Sequence, residues 1–364
     1  MPEEAHHQEG TPRAPENSWF DAAENCARGR GPLAEVVCGA RAHEKARGGA
    51  ERNLVNVLRT MPPGDQAVCY LRPPDDYAET LRAHGVPVRC LGLRGLHDIP
   101  RVVAELCDEL YRGDFQVVLT QIWLSDLVGR VAGALAGVPV LSAVQTSAYE
   151  PATLSTYSRR GRIKTRLLQV ADAVTAHLCA RRVIAVSQFV GRQTRLRLHL
   201  PDDQVVVIPN SVDLQLFRPT DTETRTAARA QLGLSPDEYA LVTVGKLNRG
   251  KGNDLLCAAM PEVLRRHPGA RLLILGKGEG GPKLRRQAES GGVAHAVRLL
   301  GEQPDIPRYL AAADAFVFAS RYEGLPLVVL EAMACRLPCV LSNIPPHQEL
   351  ADDGRSAGDD YDAQ

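Results

Sequence analysis

DAFVFASRYEGLPLVVLEAMACRLPCVLS, residues 314–342, decides the architecture of this chain. Two short apolar runs, near 314–319 and 338–342, flank a helical stretch over 326–335. AFVFA at 315–319 is apolar on both faces, as a strand of a parallel sheet covered by helices must be. The same alternation extends upstream. Runs rich in Val, Ile and Leu stand near 34–38, 67–71, 87–91, 115–120, 138–144, 182–186 and 205–208, and again near 239–244, 271–275 and 296–300. Helical stretches fit 50–60, 98–111, 125–136, 162–179, 188–198 and 251–266. This order predicts an α/β fold of doubly wound layers.

PNSVDLQLFRPTDT (209–222) interrupts the pattern: prolines bracket it and it has no clear period. It separates seven candidate strands from five, and 364 residues at about 150 per domain also give two domains. The expected order is a disordered segment over 1–32, a Rossmann-like domain over 33–208, the linker 209–222, a second Rossmann-like domain over 223–350 and an acidic tail over 351–364. Two such sheets face each other across a cleft at the carboxyl ends of their strands, where ligands bind.

The 43 basic and 43 acidic residues cancel, which excludes a strongly basic nucleic-acid binder. With 44% hydrophobic and 24% charged residues the chain buries large cores. Its nine cysteines are scattered without a C-x-x-C pair, the usage of reduced cytosolic thiols rather than of a disulfide framework or a zinc site. Residues 1–30 contain no apolar run, and Asp126 and Arg130 interrupt the apolar stretch 117–144, which therefore reads as strand–helix–strand. The expectation is a cytoplasmic protein without a metal site.

Three glycine loops leave the ends of candidate strands and open helices: RGGAER (47–52), GKLNRGKG (245–252) and GKGEGG (276–281). Helix N-termini present unpaired N–H groups and partial positive charge, which suits a phosphate. Lysine usage sharpens the reading. The chain has only six lysines against 37 arginines, yet Lys246, Lys251 and Lys277 all fall in the two downstream loops, beside Gly245 and Gly276. GKLNRGKG nearly spells a Walker A loop, but Gly252 stands where Ser or Thr would hold magnesium, so a P-loop NTPase is the weaker reading.

Glu323 lies in the loop after AFVFAS, Gly324 and Leu325 follow it, and Glu331 comes eight residues later within the helix. At about 1.5 Å rise per residue such a spacing suits two ends of one elongated ligand better than the two sides of one scissile bond. The neighbours of Glu331 make its helix apolar nearly all round, so its charge requires a partner.

Glu323-x7-Glu331, VGKLNRGKG (244–252), IPNSVD (208–213), GGAER (48–52) and SNIPPHQE (342–349) together resemble the retaining family-four glycosyltransferases, two-Rossmann enzymes of the GT-B type that use nucleotide sugars. The resemblance spans about 34–350 and is strongest in the second half. It implies that Lys246 and Lys251 hold the donor diphosphate, with Lys246 where the family usually has arginine. Glu323 then binds hydroxyls of the transferred sugar, the amides of Gly324 and Leu325 lie near the phosphates, and Glu331 accepts from the nucleotide ribose. Gly49 lets the first domain close over the diphosphate. Catalysis would rest on Glu323, Lys246 and Lys251, without a metal or other cofactor; a nucleoside-diphosphate sugar is the donor and a glycan, a lipid-linked molecule or a small molecule the acceptor.

Three features depart from that pattern. Gln145 in SAVQTS takes the place of a cleft histidine, and Arg336 that of a glycine in the helix-to-strand turn. The family continues past 350 with a helical region that packs back on the first domain, whereas the tail here carries five aspartates and no apolar face. This implies weakly held halves, and leaves a nucleotide-sugar-binding homologue without turnover as the alternative to an enzyme.

Between 159 and 197 stand ten basic residues and one acid, Asp172, a net +9. The segment reads either as the solvated face of two helices or as a surface for anionic lipid headgroups at the inner face of a membrane.

Overall fold

A computed structural model describes residues 33–37, 49–61, 66–73, 77–155 and 157–353. The segment 1–32 and the tail from 354 onward lie outside the described residues.

Strands β1 (Leu33–Val37), β2 (Gln66–Tyr70), β3 (Val88–Cys90), β4 (Val117–Gln121), β5 (Val140–Val144), β6 (Ala180–Ala185) and β7 (Val205–Val207) form one sheet in the order β3-β2-β1-β4-β5-β6-β7. Strands β8 (Tyr239–Val244), β9 (Ala270–Leu275), β10 (Val297–Gly301), β11 (Ala315–Phe318) and β12 (Cys339–Leu341) form a second, ordered β10-β9-β8-β11-β12. All pairings are parallel. Apolar runs covered on both faces dictate this: β2 and β11 are buried along their whole length. Residues 117–144 are β4, the helix Trp123–Ala136 and β5, and no described helix is long and apolar enough to cross a membrane. Both sheets reverse their winding direction, between β1 and β4 and between β8 and β11, and such switch points open a crevice at the strands' carboxyl ends. The loops carrying Lys246 and Glu323 leave β8 and β11, on either side of the second switch point.

Among the described residues six further helices lie outside the stretches picked from sequence, among them Thr222–Gln231, Gly281–Ser290, Ile306–Ala312 and Pro345–Asp353. TETRTAARAQ over 222–231 shows why: it is mostly polar and is held by charge. Asp221 caps its start by accepting from the Thr224 amide (2.7 Å), while Arg225 and Arg229 reach Asp314 at 2.6 and 3.1 Å.

The two sheets are not weakly joined, contrary to the expectation drawn from the tail. Glu349, in the helix Pro345–Asp353, accepts from the amides of Gln188 (2.7 Å) and Phe189 (3.0 Å) at the start of the helix Gln188–Leu198. A carboxylate there satisfies amides that have no partner within the helix and faces its positive dipole end. Ser187 donates to the Gly324 carbonyl (2.9 Å), and Asn210 donates to the Leu325 carbonyl (2.9 Å) while accepting from Asn53 (3.0 Å). One apolar cluster crosses the junction, including Val186, Phe189, Phe217, Leu325, Val329 and Leu350. These joining groups all precede residue 351, so the composition of the tail carried no information about them.

Candidate functional site

Between the sheets lies a cavity of about 480 Å³, lined by Gly49, Gln145, Gly245, Lys246, Lys251, Gly276, Lys277, Glu323, Gly324 and Leu325, among others. Every candidate site residue named from sequence borders it except Glu331, which is buried and meets it through Arg52, itself a lining residue.

The two lysine loops interlock before they meet the cavity. The Leu247 amide donates to the Lys277 carbonyl (2.9 Å), and the Gly280 amide donates to the Leu247 carbonyl (2.7 Å). Asn248 accepts from the Lys251 amide (3.1 Å), which sets the short turn Arg249–Lys251. Gly252 then takes a φ of 66°, and a Cβ there would overlap the Ala319 carbonyl. The Ser or Thr of a Walker loop does not fit at that point, so the nucleotide-hydrolase reading loses its magnesium ligand on steric grounds.

Lys251 Nζ stands 2.6 Å from Glu323 Oε1 and 5.6 Å from the centre of the Phe318 ring. Ser320 donates to the same Glu323 oxygen (2.6 Å). Lys277, at the rim, faces Glu302 at 3.2 Å. Pro326 precedes the helix Leu327–Ala334 and offers no side-chain cap, so the first amides of that helix remain available beside the cavity. The site thus combines lysine cations, glycine-loop backbone and a helix start, which is the chemistry of an anion site.

Gly324 closes the roof. A Cβ there would overlap the Gln145 carbonyl, so backbone meets backbone across the two halves. Gly49 begins the helix Gly49–Thr60, and beyond its chain neighbours and its own helix no described residue comes within 4 Å of the Cβ position there.

Glu331 finds the partner its surroundings demand in Arg52 of the opposite half, with Oε1 and Nη2 2.7 Å apart. Its Oε2 is buried without a partner. Burial pushes its carboxyl up to about 7, against the lowering influence of Arg52.

Arg52, Asn210 and His347 stand in GGAER, IPNSVD and SNIPPHQE, where their spacing alone marks no role for them. Only Glu331's need for a counter-charge pointed towards Arg52. His347 is buried behind Glu323: Nδ1 lies 2.8 Å from the Ser342 carbonyl, the Ser342 hydroxyl donates to the Ser320 carbonyl (2.5 Å), and Nε2 has no partner. Burial lowers its pKa, which keeps the ring neutral. Among the described residues no three His, Cys, Asp or Glu side chains gather as a metal site.

Residues 224–361 match the family model for glycosyl transferases group 1, and residues 47–216 that for glycosyltransferase family 4. A D-inositol 3-phosphate glycosyltransferase of Segniliparus rotundus is 33% identical over 63% of this chain and 51% of its own length. The UDP-Gal:alpha-D-GlcNAc-diphosphoundecaprenol alpha-1,3-galactosyltransferase of Escherichia coli is 29% identical over 75% and 69% respectively. The chain thus spans about half to two thirds of the length of the curated relatives it matches. Anabaena HepE, solved in complex with UDP and glucose, superposes with a TM-score of 0.74 at 20% identity, covering 87% of this chain and 82% of that one; this is the GT-B fold.

Proposed function

The chain belongs to the group 1, family 4 glycosyltransferases, and from that premise we propose that it transfers a sugar from a nucleoside-diphosphate sugar to an acceptor, with retention at the anomeric carbon. The observation that carries this reading is the convergence of Lys246, Lys251 and Glu323 on one cavity between the sheets.

As the sugar–phosphate bond breaks, charge grows on the departing diphosphate. Lys246, Lys251 and the amides of Gly324, Leu325 and Leu327 are the preorganised groups that answer it, a stabilisation larger in the transition state than in the bound donor. Glu323, held by Lys251 and Ser320, takes the hydroxyls of the transferred sugar. Glu331, joined to the lining residue Arg52, is assigned to the ribose hydroxyls through its Oε2, which is buried and unpartnered in the empty protein. Lysines rather than a metal neutralise the diphosphate in this reading. Gln145 can donate or accept a hydrogen bond at the reacting centre but cannot exchange a proton near neutral pH. The E. coli relative's name specifies a diphosphoundecaprenol-linked acceptor, which supports a lipid-linked class; the cysteine usage supports a cytoplasmic site of action.

Calorimetric titration with UDP and GDP in the presence of a chelator, followed by transfer assays with the matching labelled sugar nucleotides and anomeric analysis of the product, tests the proposal. Glu323→Gln should spare free-nucleotide affinity and depress transfer; equal loss of both would overturn the assignment of Glu323 to the sugar. Tight nucleotide binding without any transfer would favour the binding-protein alternative, for which the glutamine at 145 speaks.

A further inference from the structure

The helix Arg159–Cys179 is built inside out. Its protein-facing side carries polar and small groups: Gln169 donates to the Arg197 carbonyl (2.6 Å), Asp172 meets Arg130 (2.5 Å) and Tyr149 (2.7 Å), and Ala176 is fully buried. Its outward side carries Ile163, Leu167, Val170, Val174 and Leu178, each at least half exposed and Leu178 at 78%. At ~100° per residue these five fall within an arc of about 80°, and at ~1.5 Å rise the stripe is roughly 22 Å long. A helix that only covered a sheet would have the opposite polarity.

Charge names the occupant. Arg159, Arg160, Arg162, Lys164 and Arg166 are all exposed and lie at or beside the start of the stripe. The one acid between 159 and 197, Asp172, is turned inward against Arg130. The outer face is therefore apolar along its length and purely cationic over its first two turns. We propose that this face lies flat on an anionic lipid bilayer, with the aliphatic stripe in the headgroup–acyl boundary and the basic residues among the lipid phosphates. A two-fold contact with a second copy would instead press like charge on like. The inference stands on this surface alone and does not depend on which reaction the cavity performs.

The test is flotation of the full chain with vesicles of phosphatidylcholine, and of phosphatidylcholine containing about one third phosphatidylglycerol. The chain should float only with the anionic vesicles, and less so as salt is raised. Replacing Arg159, Arg162 and Arg166 together by Ala should lower partitioning by about fivefold per charge removed. Replacing Leu167, Val170 and Val174 together by Gln should abolish flotation while leaving the melting temperature unchanged, since these side chains are exposed in the fold. Failure to float with anionic vesicles at low salt, or undiminished flotation of the Gln variant, would overturn the proposal. So would a dimer in solution that the Gln variant converts to monomer, because the occupant would then be a second copy.

Discussion

Replacing Glu331 by Gln is expected to stabilise the empty protein while weakening its hold on a nucleotide. The carboxyl is 2% exposed and its pKa is raised from 4.5 to about 7. Below pH 4.5 the group is protonated in both the folded and unfolded chain, and burial costs it nothing extra. Between 4.5 and 7 the unfolded chain loses the proton while the folded one keeps it, so stability falls as pH rises. Above pH 7 the full penalty is present: a shift from 4.5 to about 7, at about 1.4 kcal/mol per pH unit, is roughly 3–4 kcal/mol. That value already includes the attraction of Arg52. An amide resembles a permanently protonated carboxyl, so E331Q removes the penalty. Melting curves at pH 4 and pH 8 read the effect: the variant should nearly match the wild type at pH 4 and exceed it by several degrees at pH 8. Binding should move the other way. A ribose that donates to the carboxylate favours the charged form, so wild-type affinity for a nucleoside diphosphate should rise from pH 6 to pH 8, and that of E331Q should be weaker and flat. A pH-independent difference in melting temperature, or identical affinity profiles, would refute the reasoning.

Three further outcomes follow from particular contacts. Lys251→Ala should weaken nucleoside-diphosphate binding by about 1.5–3 kcal/mol, the range of a charge-assisted bond, and leave the bare nucleoside almost unchanged; calorimetry that finds equal losses would make the lysine structural. Arg336 holds a φ of 58°, so Arg336→Gly should stabilise the protein by about 0.5–1 kcal/mol in a denaturant titration, the relief of left-handed strain less the entropy that glycine adds to the unfolded chain. Gly324→Ala sets a methyl against the Gln145 carbonyl and should push the halves apart, seen as a larger radius of gyration in X-ray scattering and a loss of transfer; an unchanged radius would contradict the backbone contact.

The strands were legible because burial on both faces writes itself as an unbroken apolar run: AFVFA and RLLIL have no other good placement in water. The helices Thr222–Gln231 and Gly281–Ser290 were not, because too few apolar residues mark the face they bury, little more than alanines and Leu284. Lys246, Lys251 and Lys277 stood out through their rarity in an arginine-rich chain. The pairing of Arg52 with Glu331 was out of reach, since it depends on how two separately folded sheets face one another. Sequence also misjudged the hold between the halves: attention to the acidic tail hid Glu349, whose carboxylate sits on the amides of Gln188 and Phe189.

The four outer strands of the two sheets bear on how this protein behaves at high concentration. β3, β7 and β12 are each three residues long, and β10 breaks its register between Leu299 and Gly301. β3 and β12 are each entered through a proline, Pro87 and Pro338, which offers no N–H to a visiting strand. Two folded molecules meeting edge to edge therefore find at most about 10 Å of regular free ladder at β3, β7 or β12, counting ~3.3 Å per residue, and an irregular one at β10. Self-association by strand addition has no purchase on the native state. The vulnerable species is the nascent chain, whose long-range parallel pairings close slowly and leave two-sided apolar runs such as AFVF and RLLIL uncovered until they do.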